Sequence, residues 1–383
     1  MMRRQYRFAF YLLGMLAVVG LGGCVSQDRS QSSTGGDNGD TTVTVNSEGV
    51  KVKTDSVSVN INGNGNNNGH RNNNGNGNNF GNASTQVTEE IQKEFNADKV
   101  NSLRVVDQLG SIEIAPAEGA NTIRIEAKKV VQGSQSEEDL KPLLSKIQPT
   151  ARLEGDVLVV EANIPQNGFP EGTEGLVHYV ITVPHRLSVD LHTENSPITV
   201  RGVSGGVTAL TSNGAIELFD ISGALNATST NSPIRLDRAT MADHMNLTTT
   251  NGEISCENVH AAGKALKVAL SSTNAPVHFA GDVSDLKIET LNGNIEAEPT
   301  DHLVFENGSL VTSNGPITLT VPSSFSASIQ TETTNATIRT VGMNDSSDTG
   351  YAESASRTIV MGKQYAPVHL ETSNGNITVE VKH

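Results

Sequence analysis

The chain reads as an all-β protein: a single-stack β-solenoid of β-helix-like repeats behind a flexible N-terminal tether. Three observations predict it. The phrase "TSNG" stands at 211–214, 312–315 and 372–375, and six looser relatives lie before and between them. In each copy apolar and polar residues alternate, the period of a strand with one buried face. Aromatics make up only 4% of the chain, Trp is absent and Gly is abundant at 36 copies. That composition suits a thin repetitive core better than an aromatic-lined pocket.

Taken in order, residues 1–23 are an export signal, not fold. Arg3, Arg4 and Arg7 precede the apolar run "FAFYLLGMLAVVG" (8–20), which is short for a membrane span. The run ends in "LGGC", Leu21 to Cys24, which resembles a bacterial lipobox. In that motif the Cys is acylated, palmitate being the typical chain, and becomes the mature N-terminus. Several acyl chains anchor stably where one holds only marginally. The expected location is therefore the cell envelope, lipid-anchored, in the outer membrane if the source has two membranes. Removing 1–23 takes away three positive charges, so the net charge goes from -15 to -18. That acidity gives no nucleic-acid footprint. Cys256 is then the one other thiol, so no disulfide framework exists.

Residues 24–100 read as a tether. Within it, 41–62 alternates like a short β-hairpin, and 62–84 is almost wholly Asn and Gly. Such a stretch buries too little apolar surface to offset its conformational entropy. About 75 such residues would reach roughly 50 Å. "TEEIQKEFNA" (88–97) is expected as a short helix. Residues 101–190 form an N-terminal β region, interrupted by a helical insertion at 136–148 that contains Pro142.

The repeat stack spans 191–383. Its copies align on Asn195, Asn213, Asn231, Asn251, Asn274, Asn292, Asn314, Asn335 and Asn374, spaced 18, 18, 20, 23, 18, 22, 21 and 39 residues apart. The long last interval includes "GMNDSSDTGYAESASRT" (342–358), read as a loop insertion. Three residues after Asn stands Ile, or Val277 in one copy; four before it stands a second apolar column from Leu191 to Leu370. The apolar parity is even before Asn and odd after it, so the chain must bend there. Gly, Ser or Ala always follows, as a tight corner needs. One coil cannot bury its own apolar row, whereas stacked coils bury a continuous one. Nine rungs would make a stack about 40 Å long. The nine Asn amides are expected to hydrogen-bond along the stack as a structural ladder. The Thr or Ser two residues earlier is expected to do the same. Asn251→Ala should then cost about 1–3 kcal/mol by leaving a buried partner unsatisfied.

The N-G-x-I repeats, with "LGSIEI" (109–114) as a degenerate first copy and "YVITVP" (179–184), resemble the bacterial putative-adhesin β-strand-repeat family, related to head GIN adhesin-like domains. The resemblance covers about 101–383 and implies an all-β solenoid-like stack and an adhesin role.

Catalytic motifs fare poorly. "GVSGG" (202–206) matches G-x-S-x-G, but a strand and a corner follow Ser204 where a nucleophile elbow needs a helix. Histidines occur singly, so no metal ligand and no cofactor is assigned. The column Glu217, Arg235, Ser255, His278, Glu296 is the one place for glycan chemistry, diluted by Thr. The expected function is non-enzymatic: adhesion or binding, with the membrane met through the N-terminal lipid and a glycan or envelope protein as partner. The alternatives are a glycan-active β-helix enzyme, or a scaffold or regulatory partner of an envelope-stress system.

Overall fold

In the computed structural model, the backbone of residues 41–45 and 50–61 is described, together with residues 85–117, 121–165, 167–343, 355–363 and 366–382. The export signal, Cys24, the Asn/Gly stretch at 62–84 and residues 344–354 lie outside the described residues.

The protein is an all-β solenoid. Each coil lays down two main rungs, one before its Asn and one after, and successive coils pair in parallel. The columns after Asn run Ile112, Ile198, Ile216, Ile234, Ile254, Val277, Ile295, Ile317, in unbroken register. Each of these side chains is at most 1% exposed. Facing them is the column Leu191, Ala209, Ala227, Leu247, Leu270, Ile288, Leu310. Strict alternation sends these rows inward and their neighbours outward. The core is thus one apolar seam shared by all coils.

The joint at Asn differs from its expected form. All nine Asn side chains are exposed, and the buried residue is the Thr or Ser two positions earlier. These hydroxyls do not bond one another. Thr249 Oγ1 accepts from the Gly252 amide (3.1 Å) and donates to the Ser232 carbonyl of the preceding coil (3.3 Å). Ser272, Thr312 and Thr372 repeat the arrangement, each donating to a carbonyl one layer down at 3.0–3.1 Å. A small hydroxyl fits because the corner carries a buried N–H and a buried C=O that the rungs leave unpaired.

Gly after Asn has an equally local cause. Its φ is not left-handed; the reason is proximity. A Cβ on Gly252 would stand 2.0 Å from the Ser232 carbonyl oxygen, and one on Gly214 would stand 1.8 Å from that of Ser196. A second corner follows seven residues after Asn. There Gly202, Asp220, Arg238, Asn258 and Gly342 all have positive φ, between 54° and 76°. Arg238 ties its layer to the one below through Asp220, Nε to Oδ1 at 2.9 Å.

The layers are not stacked in sequence order. The strand Asn307–Val311 pairs with Ala366–Thr372, which in turn pairs with Ala327–Thr333. Likewise Ile317–Pro322 pairs with Ile377–Lys382, and that strand with Ile338–Val341. The C-terminal coil therefore lies between the coils of Asn314 and Asn335. Part of the stretch read as loop also forms a strand: Ala355–Met361 runs antiparallel along Ala327–Thr333 and covers it. Sequence spacing sees only that the interval is long, and cannot tell an excursion from an insertion.

At the other end the last parallel layer, Val157–Asn163 and Thr173–Val183, pairs with Ser102–Val106 and Ile112–Pro116, and antiparallel ribbons cover it. Thr41–Val45 pairs with Val50–Ile61, and Thr85–Asn96 lies between Val50–Ile61 and Thr122–Gly133. Residues 88–96 are thus strand, not helix. The helical spacing of Val87, Ile91 and Phe95 arises because Glu89 and Lys93 occupy intervening positions of the same strand face. Lys129, itself buried, neutralises Glu89 at 2.5 Å, and Lys93 Nζ donates to the Pro149 carbonyl at 3.4 Å. Two long partner strands override a short segment's helix propensity. The insertion is a single α turn, Glu137–Leu140, capped by Ser136, then a 3-10 turn, Lys141–Lys146, with Pro142 near its start.

The first coil, Ser102–Pro116, sits beneath the coil of Asn195 in register. In it Asp107 takes the place of the joint Thr. Burial pushes its carboxyl up to about 8, against amide hydrogen bonds from Gln108 and Leu109 that act to lower it. Among the described residues Oδ2 has no hydrogen-bond partner, nor have the Tyr179 hydroxyl and Thr193 Oγ1. Between the ordinary carboxylate value of 3.8 and about 8 the folded chain holds a proton that the unfolded chain releases. Stability should therefore fall as pH rises across that window and level off above it. Asp107→Thr should flatten this slope and add about 2 kcal/mol or more at pH 8. Urea denaturation of both proteins at pH 5 and pH 8 measures this; an unchanged slope would mean that the carboxyl is ionised when folded.

Candidate functional site

The nine Asn amides form one continuous row. Asn213 Nδ2 donates to Asn195 Oδ1 at 2.6 Å, and the relay continues through Asn231, Asn251, Asn274, Asn292 and Asn314 at 2.6–2.8 Å. Asn374 then donates to Asn314, and Asn335 to Asn374, both at 2.7 Å. The eight amides after Asn195 each donate an N–H to the layer on the N-terminal side of their own, except that Asn335 donates to Asn374, whose coil lies between. All nine side chains are exposed, so the row is also a polar edge open to solvent.

The two outer faces flank that edge. One carries Asp190, Thr208, Asn226, Asn246, Ala269, Lys287 and Ser309, one per rung. Asn246 donates to Asn226 at 3.0 Å, and Asp190 accepts from Arg104 at 2.7 Å. The other carries Thr199, Glu217, Arg235, Ser255, His278, Glu296 and Thr318. Glu217 and Arg235 are side by side with no ion pair closed between them, whereas His278 Nδ1 lies 3.7 Å from Glu296. Glu217 and Glu296 are four rungs apart, about 19 Å at the parallel-strand spacing. Paired-carboxylate glycoside hydrolysis works across about 5–9.5 Å. These two acids do not converge on one bond.

Ser204 donates its hydroxyl to the His185 carbonyl at 2.8 Å. Cys256 is fully buried in the seam, and burial pushes its thiol well up, the opposite of a reactive cysteine.

Sequence reading misses one cluster. His260 is the last residue but one of the strand Ile254–Ala261; Asp282 directly follows Val277–Gly281; His302 stands three residues after Ile295–Pro299. Spacings of 22 and 20 residues are one coil each, so the three side chains stack on consecutive layers. His302 Nδ1 lies 2.8 Å from Asp282 Oδ1, and His260 Nδ1 3.7 Å from Oδ2. Asp282 is the buried member; both imidazoles are open to solvent. The signal that would have found it is coil periodicity applied to His and Asp.

A sequence profile of the Toastrack DUF4097 family matches residues 176–380, more than half of the chain. This chain belongs to the Toastrack DUF4097 family. The Toastrack match takes in the whole Asn row and leaves out the first coil, with its Asp107 joint. Among solved structures, a putative adhesin from Bacteroides fragilis NCTC 9343 is 14% identical, with 76% of this chain and 97% of that one covered and a TM-score of 0.34. A putative adhesin from Parabacteroides merdae ATCC 43184 is 10% identical, covering 77% and 96%, with a TM-score of 0.22. A putative lipid binding protein from Parabacteroides distasonis ATCC 8503 is also 10% identical, covering 77% and 97%, with a TM-score of 0.25. No curated protein matches. Among the described residues of this Toastrack chain, no helix is long and apolar enough to cross a membrane.

Proposed function

We propose that this Toastrack protein is a lipid-anchored envelope protein whose stack serves as a non-catalytic binding wall, for adhesion to a glycan or to another envelope protein. The observation that carries this reading is the outer face bearing Thr208, Asn226 and Asn246. It presents small polar groups at one-rung intervals on a rigid parallel sheet. Such a face binds through many weak, regularly spaced hydrogen bonds and makes no demand for a pocket. The lipobox at Cys24 supports attachment to a membrane; where the source has two membranes, the outer one is the proposed site.

Two measurements test it. Globomycin, which inhibits lipoprotein signal peptidase, should block processing, and Cys24→Ala should release the protein from the membrane fraction. Glycan-array and whole-cell binding by the full chain should be saturable and weakened at least several-fold in an Asn226→Glu, Asn246→Glu double variant. Binding unchanged in that variant would remove the assignment to this face. Turnover of a polysaccharide that disappears in Glu217→Gln or Glu296→Gln would replace the reading with an enzymatic one.

A further inference from the structure

We propose that His260, Asp282 and His302 form a binding site for a divalent transition-metal cation of the zinc class. The three ligand atoms lie within 4.8 Å of one another. Asp282 is the fixed member. Its side chain is 7% exposed, its Oδ2 accepts from the Ala261 amide at 3.1 Å, and its Oδ1 accepts from the Thr300 hydroxyl. The main chain at Asp282 is pinned as well, its amide donating to the Val259 carbonyl at 2.8 Å. The two imidazoles reach this carboxylate from the layers below and above, each with Nδ1 toward it. Two imidazole nitrogens and one carboxylate oxygen are a donor set that suits zinc, copper or nickel rather than calcium or magnesium.

The geometry needs only a small closure. Ligands at about 2.0–2.2 Å from a tetrahedral ion stand roughly 3.4 Å apart. The His302–Asp282 contact, 2.8 Å, is already shorter than that, and His260, at 3.7 Å from the other carboxylate oxygen, stands only about 0.3 Å beyond it. His260 and His302 are 61% and 66% exposed, so their rings are free to turn without disturbing the core. Hydrogen bonds from fixed neighbours orient the carboxylate, the support that metal-binding carboxylates have elsewhere. The outward side of the cluster has no protein ligand among the described residues. A bound ion would therefore keep a position for water or for a donor from a partner. The site is independent of the binding-wall reading and lies on a different edge of the coil.

The test is isothermal titration of the full chain with ZnCl2 at pH 7.5, with CaCl2 and MgCl2 as controls for the acidic surface. One saturable zinc equivalent should be lost in a His260→Gln, His302→Gln double variant and weakened roughly tenfold or more in each single variant. His244→Gln, on an exposed histidine outside the cluster, should bind as the parent does. Both ring positions are exposed, so an unchanged melting temperature without zinc shows that the variants fold. Absence of saturable zinc binding, or equal binding by the double variant, would overturn the proposal.

Discussion

Gly252→Ala is expected to destabilise the protein by more than about 3 kcal/mol, a large effect for a single methyl group. The added carbon would stand 2.0 Å from the Ser232 carbonyl oxygen, 2.3 Å from its carbon and 2.7 Å from the Pro233 nitrogen. All three are backbone atoms of the layer beneath, so no side-chain rotation relieves the overlap. The layers must separate, and separation also stretches the Thr249 to Ser232 bond at 3.3 Å. Thr249→Val keeps the shape and removes the hydroxyl. It leaves the Gly252 amide and the Ser232 carbonyl without that partner, at a cost of about 1–3 kcal/mol. Asn251→Ala removes two exposed amide contacts at 2.7 Å and should cost only about 1 kcal/mol, because water replaces them. Denaturant midpoints of the three variants should therefore fall in that order. Equal losses for Asn251→Ala and Thr249→Val would put the exposed row, not the buried hydroxyl, in charge of the joint.

Deleting residues 366–383 is expected to abolish the cooperative unfolding transition of the C-terminal third. The deletion removes Val368, Leu370, Ile377 and Val379 from the seam, each at most 2% exposed. It also takes out the layer on which the strand Ile338–Val341 pairs, and opens a two-rung gap between Asn307–Val311 and Ala327–Thr333. A gap of about 10 Å cannot be bridged by hydrogen bonds. Excising 323–365 instead, with a linker of about five residues, should be milder. It removes the outermost coil and lets the C-terminal coil stay on the layer of Asn314. Limited proteolysis and thermal melting distinguish the two. If the larger internal excision proves the more damaging, the C-terminal coil does not lie between the other two.

Much of the stack is legible from residue pattern because its determinants are local. Ile three after Asn, a small residue one after, and alternation on both sides each follow from one coil's needs, repeated. Three features escaped for physical reasons. Which group is buried at the joint depends on how far the corner turns, and both Asn and Thr are good candidates by type. The order of the last layers depends on where a terminus docks, which no periodicity records. The strand 85–96 carries Glu89 and Lys93 in a face that tertiary partners neutralise, so its pattern imitates a helix. The His260, Asp282, His302 cluster escaped for a different reason: the ligands are neighbours only after coils are stacked.

The joint repeats with so little change that one coil can stand for another. A hydroxyl below, a small residue at the corner and an amide outside fit the layer above regardless of what the outer faces carry. Gene duplication or loss of one whole coil between Asn213 and Asn292 would therefore change the length of the wall and preserve every contact type in it. Intervals of 18 to 23 residues already differ without breaking register. Events of half a coil would put apolar rows outside and be lost. The two ends, finished by antiparallel strands, cannot be copied in this way. Descent in this lineage should thus proceed by whole interior coils, with the outer faces drifting freely as the stack's length changes.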